Sequence, residues 1–150
     1  MRISPNLAPV KFSSLKAGAW FFHGGKLGFT LSDPEEPGIA CVLFDKGARK
    51  FEFQFSFGDP IVAHITDEAC VHAPIDCGFD VRSAKYVDHA TLFLAEGDAR
   101  IVVPMNSPYI YLVSLGSGDA TRTPVGQYVA CEKWKLGFKG MDKVSWVIEV

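Results

Sequence analysis

Long apolar runs are missing from this chain. No stretch approaches the 18 consecutive apolar residues that a membrane-spanning helix needs, so no membrane partner is expected. The opening segment MRISPNLAPVKF meets Pro5, Asn6 and Pro9 before seven apolar residues can accumulate. It therefore lacks the hydrophobic segment of a signal peptide, and the expected location is cytoplasmic. Charge of one sign is also scarce: 15 Lys and Arg against 17 Asp and Glu leave a formal −2. That balance offers no positive field to gather phosphates and argues against nucleic acid as a partner. Cysteine is sparse, with Cys41, Cys70, Cys77 and Cys131 and no Cys-x-x-Cys pair, so reduced, buried thiols are expected in place of a disulfide scaffold.

Signatures of catalysis are thin as well. His23, His64, His72 and His89 form no i, i+2 or i, i+4 pair, the arrangement that holds zinc or iron on one element. LGSGDA at 115–120 lacks the Gly-x-Ser-x-Gly elbow of a hydrolase. GGKLG at 24–28 precedes a strand pattern and not a helix whose N-terminus could hold phosphate. Carboxylates are scattered through turns. No cofactor is expected, and an enzyme is less expected than a binding protein.

What the chain does contain is core material in short pieces: 48% of its 150 residues are hydrophobic, 12 of them Phe. In KFEFQFSF at 50–57, Phe51, Phe53, Phe55 and Phe57 alternate with polar residues, and a period of two means a strand with one wet face. Similar runs lie at 19–23, 27–31, 39–44, 61–65, 91–95, 100–103, 109–115, 127–132, 133–138 and 144–150, separated by Gly- and Pro-bearing clusters such as HGGK, FGDP and KGMDK. Short helical turns are expected near 14–17 and 66–69. The sum is a single all-β domain over residues 1–150, mainly antiparallel, a sandwich or closed barrel of about ten short strands with little helix.

Some strands, IACVLF and YIYLVSL above all, are apolar on both faces, so a second sheet, a terminal segment, a partner subunit or a ligand must cover the second face. In CEKWKLGFKGMDK, alternation puts Lys133 and Lys135 on one face and Trp134, Leu136 and Phe138 on the other, which turns these aromatics to the core. LFDKGAR at 43–49 and LAEGDAR at 94–100 echo one another, but with no third copy they read as two similar hairpins and not as an internal repeat.

The densest set of metal-ligating residues is ACVHAPIDCGF at 69–79. Cys70 and His72 share one face of an extended strand, and a turn at Pro74 lets Cys77 swing back. A structural zinc wants a fourth ligand, here a distant Cys41, Cys131, His64 or His89, so buried thiols are the reading preferred and zinc the alternative. KAGAWFF places Gly18-Ala19-Trp20 at the start of an early strand, and in this it resembles lipocalin-like barrels, which carry Gly-x-Trp there. The resemblance covers three residues and implies a β-barrel around an apolar ligand, with Trp20 closing one end; read from its own strand, Trp20 is a core residue. The function expected is non-catalytic: binding, or assembly as a homo-oligomer or with a protein partner, through apolar and aromatic surfaces. The alternatives are a carrier of a small apolar ligand and an enzyme with a metal near Cys70, His72 and Cys77.

Overall fold

A computed structural model describes residues 5–33, 35, 37–44, 51–54, 57–74, 80–83, 91–95, 97–103, 111–122, 127–140 and 143–149, with backbone alone at 51, 80–83, 95, 127 and 128. Fifteen strands lie among them. They are β1 (Leu7–Lys11), β2 (Trp20–His23), β3 (Lys26–Ser32), β4 (Ile39–Phe44), β5 (Phe51–Gln54), β6 (Ile61–Ile65), β7 (Glu68–His72) and β8 (Asp80–Ser83). There follow β9 (Leu92–Ala95), β10 (Asp98–Val103), β11 (Tyr111–Ser114), β12 (Ala120–Arg122), β13 (Gln127–Cys131), β14 (Lys135–Lys139) and β15 (Val144–Glu149). Every pairing among them is antiparallel.

The count exceeds the eleven runs read from sequence by four, because β1, β7, β8 and β12 lack clear alternation. Pro9 sits inside β1, which tolerates it as an edge strand with one unpaired side. The helical turn expected near 66–69 is instead the start of β7, and the one near 14–17 is a 3-10 turn at Phe12–Ser14. The barrel alternative is overturned: the strands form three open sheets, in the orders β1-β6-β2-β3-β4-β5, β8-β13-β9-β10-β11-β12 and β7-β14-β15.

The first two orders are the same order. Each is a four-strand meander whose return strand pairs with the meander's first strand and with the strand preceding it. Register repeats too: Trp20 pairs with Phe29 and Phe21 with Gly28, as 72 residues later Leu92 pairs with Ile101 and Phe93 with Arg100. Both hairpins turn through two residues, with Gly25 (φ 78°) and Gly97 (φ 79°) in the left-handed region that favours glycine. The two halves meet in the third sheet, where β7 of one pairs with β14 of the other about the Cys70–Gly137 pair. An internal twofold repeat, not expected from sequence, therefore organises the chain. The echo between LFDKGAR and LAEGDAR is not its trace: LAEGDAR spans the β9–β10 turn, whose counterpart is β2–β3, while LFDKGAR begins with the last two residues of β4.

Inward faces of all three sheets share one core. Trp20, Phe29, Leu31, Val42 and Phe44 of the first half, Leu92, Ile101, Val103, Val113 and Leu115 of the second, and Trp134, Leu136 and Phe138 are all buried in it. The lysine-flanked aromatics thus face inward as alternation predicts. The second face of the first sheet is covered as well: Phe21, Cys41, Leu43 and Val62 lie under Phe12 and Leu15 at the 3-10 segment, while Phe93, Val102, Leu112 and Ala130 of the second sheet form a separate buried cluster. For the first sheet, local chain supplies that cover.

Two loops from opposite halves interlock at one end. Gly18 (φ 87°) donates its N–H to the Thr30 carbonyl, and the buried Thr30 hydroxyl accepts the Ala19 N–H at 2.8 Å while donating to the Lys16 carbonyl at 2.6 Å. Gly118 of the second half (φ 74°) packs onto this turn and accepts the Ser32 N–H at 3.0 Å. A Cβ on Gly118 would lie 2.4 Å from the Gly18 nitrogen and 2.7 Å from the Thr30 oxygen.

Candidate functional site

Glycine and an edge strand create an apolar recess. The β2–β3 hairpin turns at Gly24-Gly25, and with no side chain at Gly25 its end stays open toward β15. Phe22, Gly25, Leu27 and Phe44 form one wall and Trp146, Val147 and Ile148 the other, around a groove of about 240 Å³. Phe44 links groove to core, its ring 5.7 Å from that of Trp20.

Trp146 projects from the face of the third sheet that points away from the core and is 46% exposed. Its ring rests over Gly137, where a Cβ would approach within 2.8 Å of the indole. The pairing slips between Leu136 and Gly137, so β15 bulges at Val147 beside the groove. His72 lies at the other side of Trp146, ring centroids 6.0 Å apart, and Lys135 pairs with Glu149 at 3.3 Å on the same face.

Trp20, the residue that carries the lipocalin resemblance, is not at a cavity mouth. It is 4% exposed and ringed by Phe29, Phe44 and Phe138 at 4.4–5.8 Å, the core tryptophan its own strand suggested. Cys70 and His72 do share a face of β7, opposite Gly137 and Lys135 of β14, and the half-buried Cys70 thiol points 3.8 Å from the Glu68 carbonyl. Cys77 and His89 lie outside the described residues. Cys41 and Cys131, named as distant fourth ligands, are buried in separate clusters. Among the described residues no three His, Cys, Asp or Glu side chains converge. Burial pushes the Cys41 thiol up to about 12, with Glu52 adding to the shift, so it is no nucleophile at neutral pH.

One polar cluster spans Ser114, Asp98 and Arg100. The buried Ser114 hydroxyl donates to Asp98 at 2.8 Å and accepts the N–H groups of Gly116 and Ser117, while Arg100 pairs with Asp98 at 2.9 Å and reaches Thr121. These bonds brace the β11–β12 turn. A second, wider recess of about 420 Å³ lies between the 3-10 segment and His64, where Ser14 is already bonded to the Lys11 carbonyl.

The groove residues were not singled out from sequence. In VSWVIEV, Trp146 and the half-buried Ile148 stand two residues apart, so alternation would put both on one face, and only the bulge at Val147 turns Trp146 outward. Neither a protein-family model, nor a curated protein, nor a solved structure matches this chain.

Proposed function

We propose that the protein is a non-catalytic binding domain that receives one large apolar or aromatic group in the groove between the β2–β3 hairpin and β15. The observation that carries this reading is an apolar-lined groove beside a tryptophan left 46% exposed. Size favours the contact version over the carrier. Sites for drug-sized ligands run from about 300 to 1,000 Å³, and 240 Å³ falls below them. A single side chain or one small ring is the better match, and such buried anchors dominate the energetics of protein contacts.

Bromobenzene tests the reading. As a heavy-atom quencher it reports on Trp146, because Trp20 and Trp134 are buried at 4% and 1% exposure. Saturable quenching is expected, absent in Trp146→Phe and weakened at least about tenfold in Val147→Asp, which sets a charge in the groove. Quenching that rises linearly with probe and ignores Val147→Asp would refute it.

A further inference from the structure

Leu7, Ile61 and Trp146 are the large hydrophobic residues most exposed among those described, at 41%, 60% and 46%. The first two are not scattered. Leu7 pairs with Ile65 and Pro9 with Ala63 on adjacent strands, and Ala63 pairs in turn with Phe22. Because residues directly opposite one another share a face, Leu7, Pro9, Ile61, Ala63 and Phe22 lie on the inward-looking face of the first sheet, beyond the part that the other sheets cover. Phe22 is also a wall of the groove. One apolar surface therefore runs from β1 across β6 and β2 into the groove and ends at Trp146.

The internal repeat singles out one position of this surface: Phe22, Ala63 and Pro9 have apolar counterparts in Leu94, Val129 and Val81, but Ile61 does not. The return strand of the second half is β13, where Cys131 takes the place of Ile65 in the pairing with the meander. Counting back along both strands, the residue standing where Ile61 stands is Gln127. The same scaffold carries a polar residue in one half and its most exposed aliphatic one in the other.

We propose that this surface joins two copies of the chain about a twofold axis, the Ile61 side chain of each entering the groove of the other. The inference rests on the groove reading and names the occupant. Isologous contact requires a projection and a matching recess on one continuous patch. Here the projection is a branched aliphatic side chain, and the recess is an apolar groove of about 240 Å³, sized for one such group. The exposed parts of the patch amount to on the order of 400 Å², close to the apolar share of the roughly 800 Å² that each partner contributes to a stable dimer. Lys11, exposed and opposite Ile61 in register, stands where a polar rim is expected.

Sedimentation velocity across a wide concentration range, on wild type, Ile61→Lys and Ile61→Leu, tests the proposal. Wild type is expected to pass from monomer to dimer with rising concentration. Ile61→Lys should weaken association at least about 100-fold, the effect of losing a central anchor, while its melting temperature stays within a few degrees of wild type. Ile61→Leu should retain the dimer. A wild type that is monomeric throughout, or a dimer that survives Ile61→Lys, overturns the proposal. Bromobenzene titration of the same samples separates the two levels: a monomer that binds the probe sinks the twofold contact alone, and a monomer that does not bind it sinks the groove reading as well.

Discussion

Replacing Gly118 by alanine isolates how much of the stability depends on the contact between the halves. Gly118 needs a left-handed backbone, and its α-carbon faces the turn of the first half so closely that a methyl group would lie 2.4 Å from the Gly18 nitrogen. Gly97 needs nearly the same φ, 79° against 74°, but has nothing within 4 Å of its missing side chain. The left-handed conformation costs a non-glycine residue about 1–2 kcal/mol, and Gly97→Ala should cost that and no more. Gly118→Ala bears the same cost and must also part the loops. Parting them endangers the Ser32-to-Gly118, Gly18-to-Thr30 and Gly118-to-Ser114 hydrogen bonds, each worth about 1 kcal/mol net. The expected losses are about 1–2 kcal/mol for Gly97→Ala and about 3–5 kcal/mol for Gly118→Ala, read from urea unfolding midpoints at unchanged m-value. Equal losses would show that only backbone conformation matters at Gly118 and that the loops of the two halves do not lock.

Two predictions concern titration. Cys41, whose thiol burial holds near 12 against an ordinary 9, favours the fold fully below pH 9. Above that, the unfolded thiol ionises while the folded one stays protonated, so stability falls as pH rises from about 9 toward 12; Cys41→Ala should flatten this limb of the pH–stability curve, and native Cys41 should resist thiol reagents that modify Cys70. Asp59 has the opposite sign. Its carboxylate accepts the Ser13 N–H at 2.8 Å, which lowers its pKa below 3.8, so its contribution is present above 3.8 and lost as pH drops through the lowered value. Thermal melts of Asp59→Asn should depend less on pH in that acidic window than those of wild type.

Alternation exposed most of the strands because it is a local property. Ile39–Phe44 and Lys135–Lys139 appear in sequence much as they stand in the fold, and the inward turn of Trp134 and Phe138 follows from flanking lysines. Strands held by neighbours and not by their own pattern were hidden: β1 carries Pro9, and β12 is three residues long. The repeat was hidden for a related reason. A core asks for apolar volume and not for identity, so Trp20 and Leu92, or Phe29 and Ile101, hold equivalent places with unlike side chains. Only pairing, which is non-local, reveals them. The groove was illegible because its walls are 100 residues or more apart, Phe22 to Phe44 on one side and Trp146 to Ile148 on the other. Trp20, by contrast, was legible from its own strand, and three matching residues pointed elsewhere.

The joint sheet also sets a timetable for synthesis. Trp20, Phe29 and Phe44 leave the ribosome early, yet Phe138, which packs on Trp20 at 5.8 Å, comes more than ninety residues after Phe44. At about 5–20 residues per second, that is on the order of 5–20 s during which a nascent hydrophobic sheet has its final neighbours still to come. Chaperone dependence during translation, and sticky products from prematurely terminated messages, are natural costs of closing a structure with its latest strands.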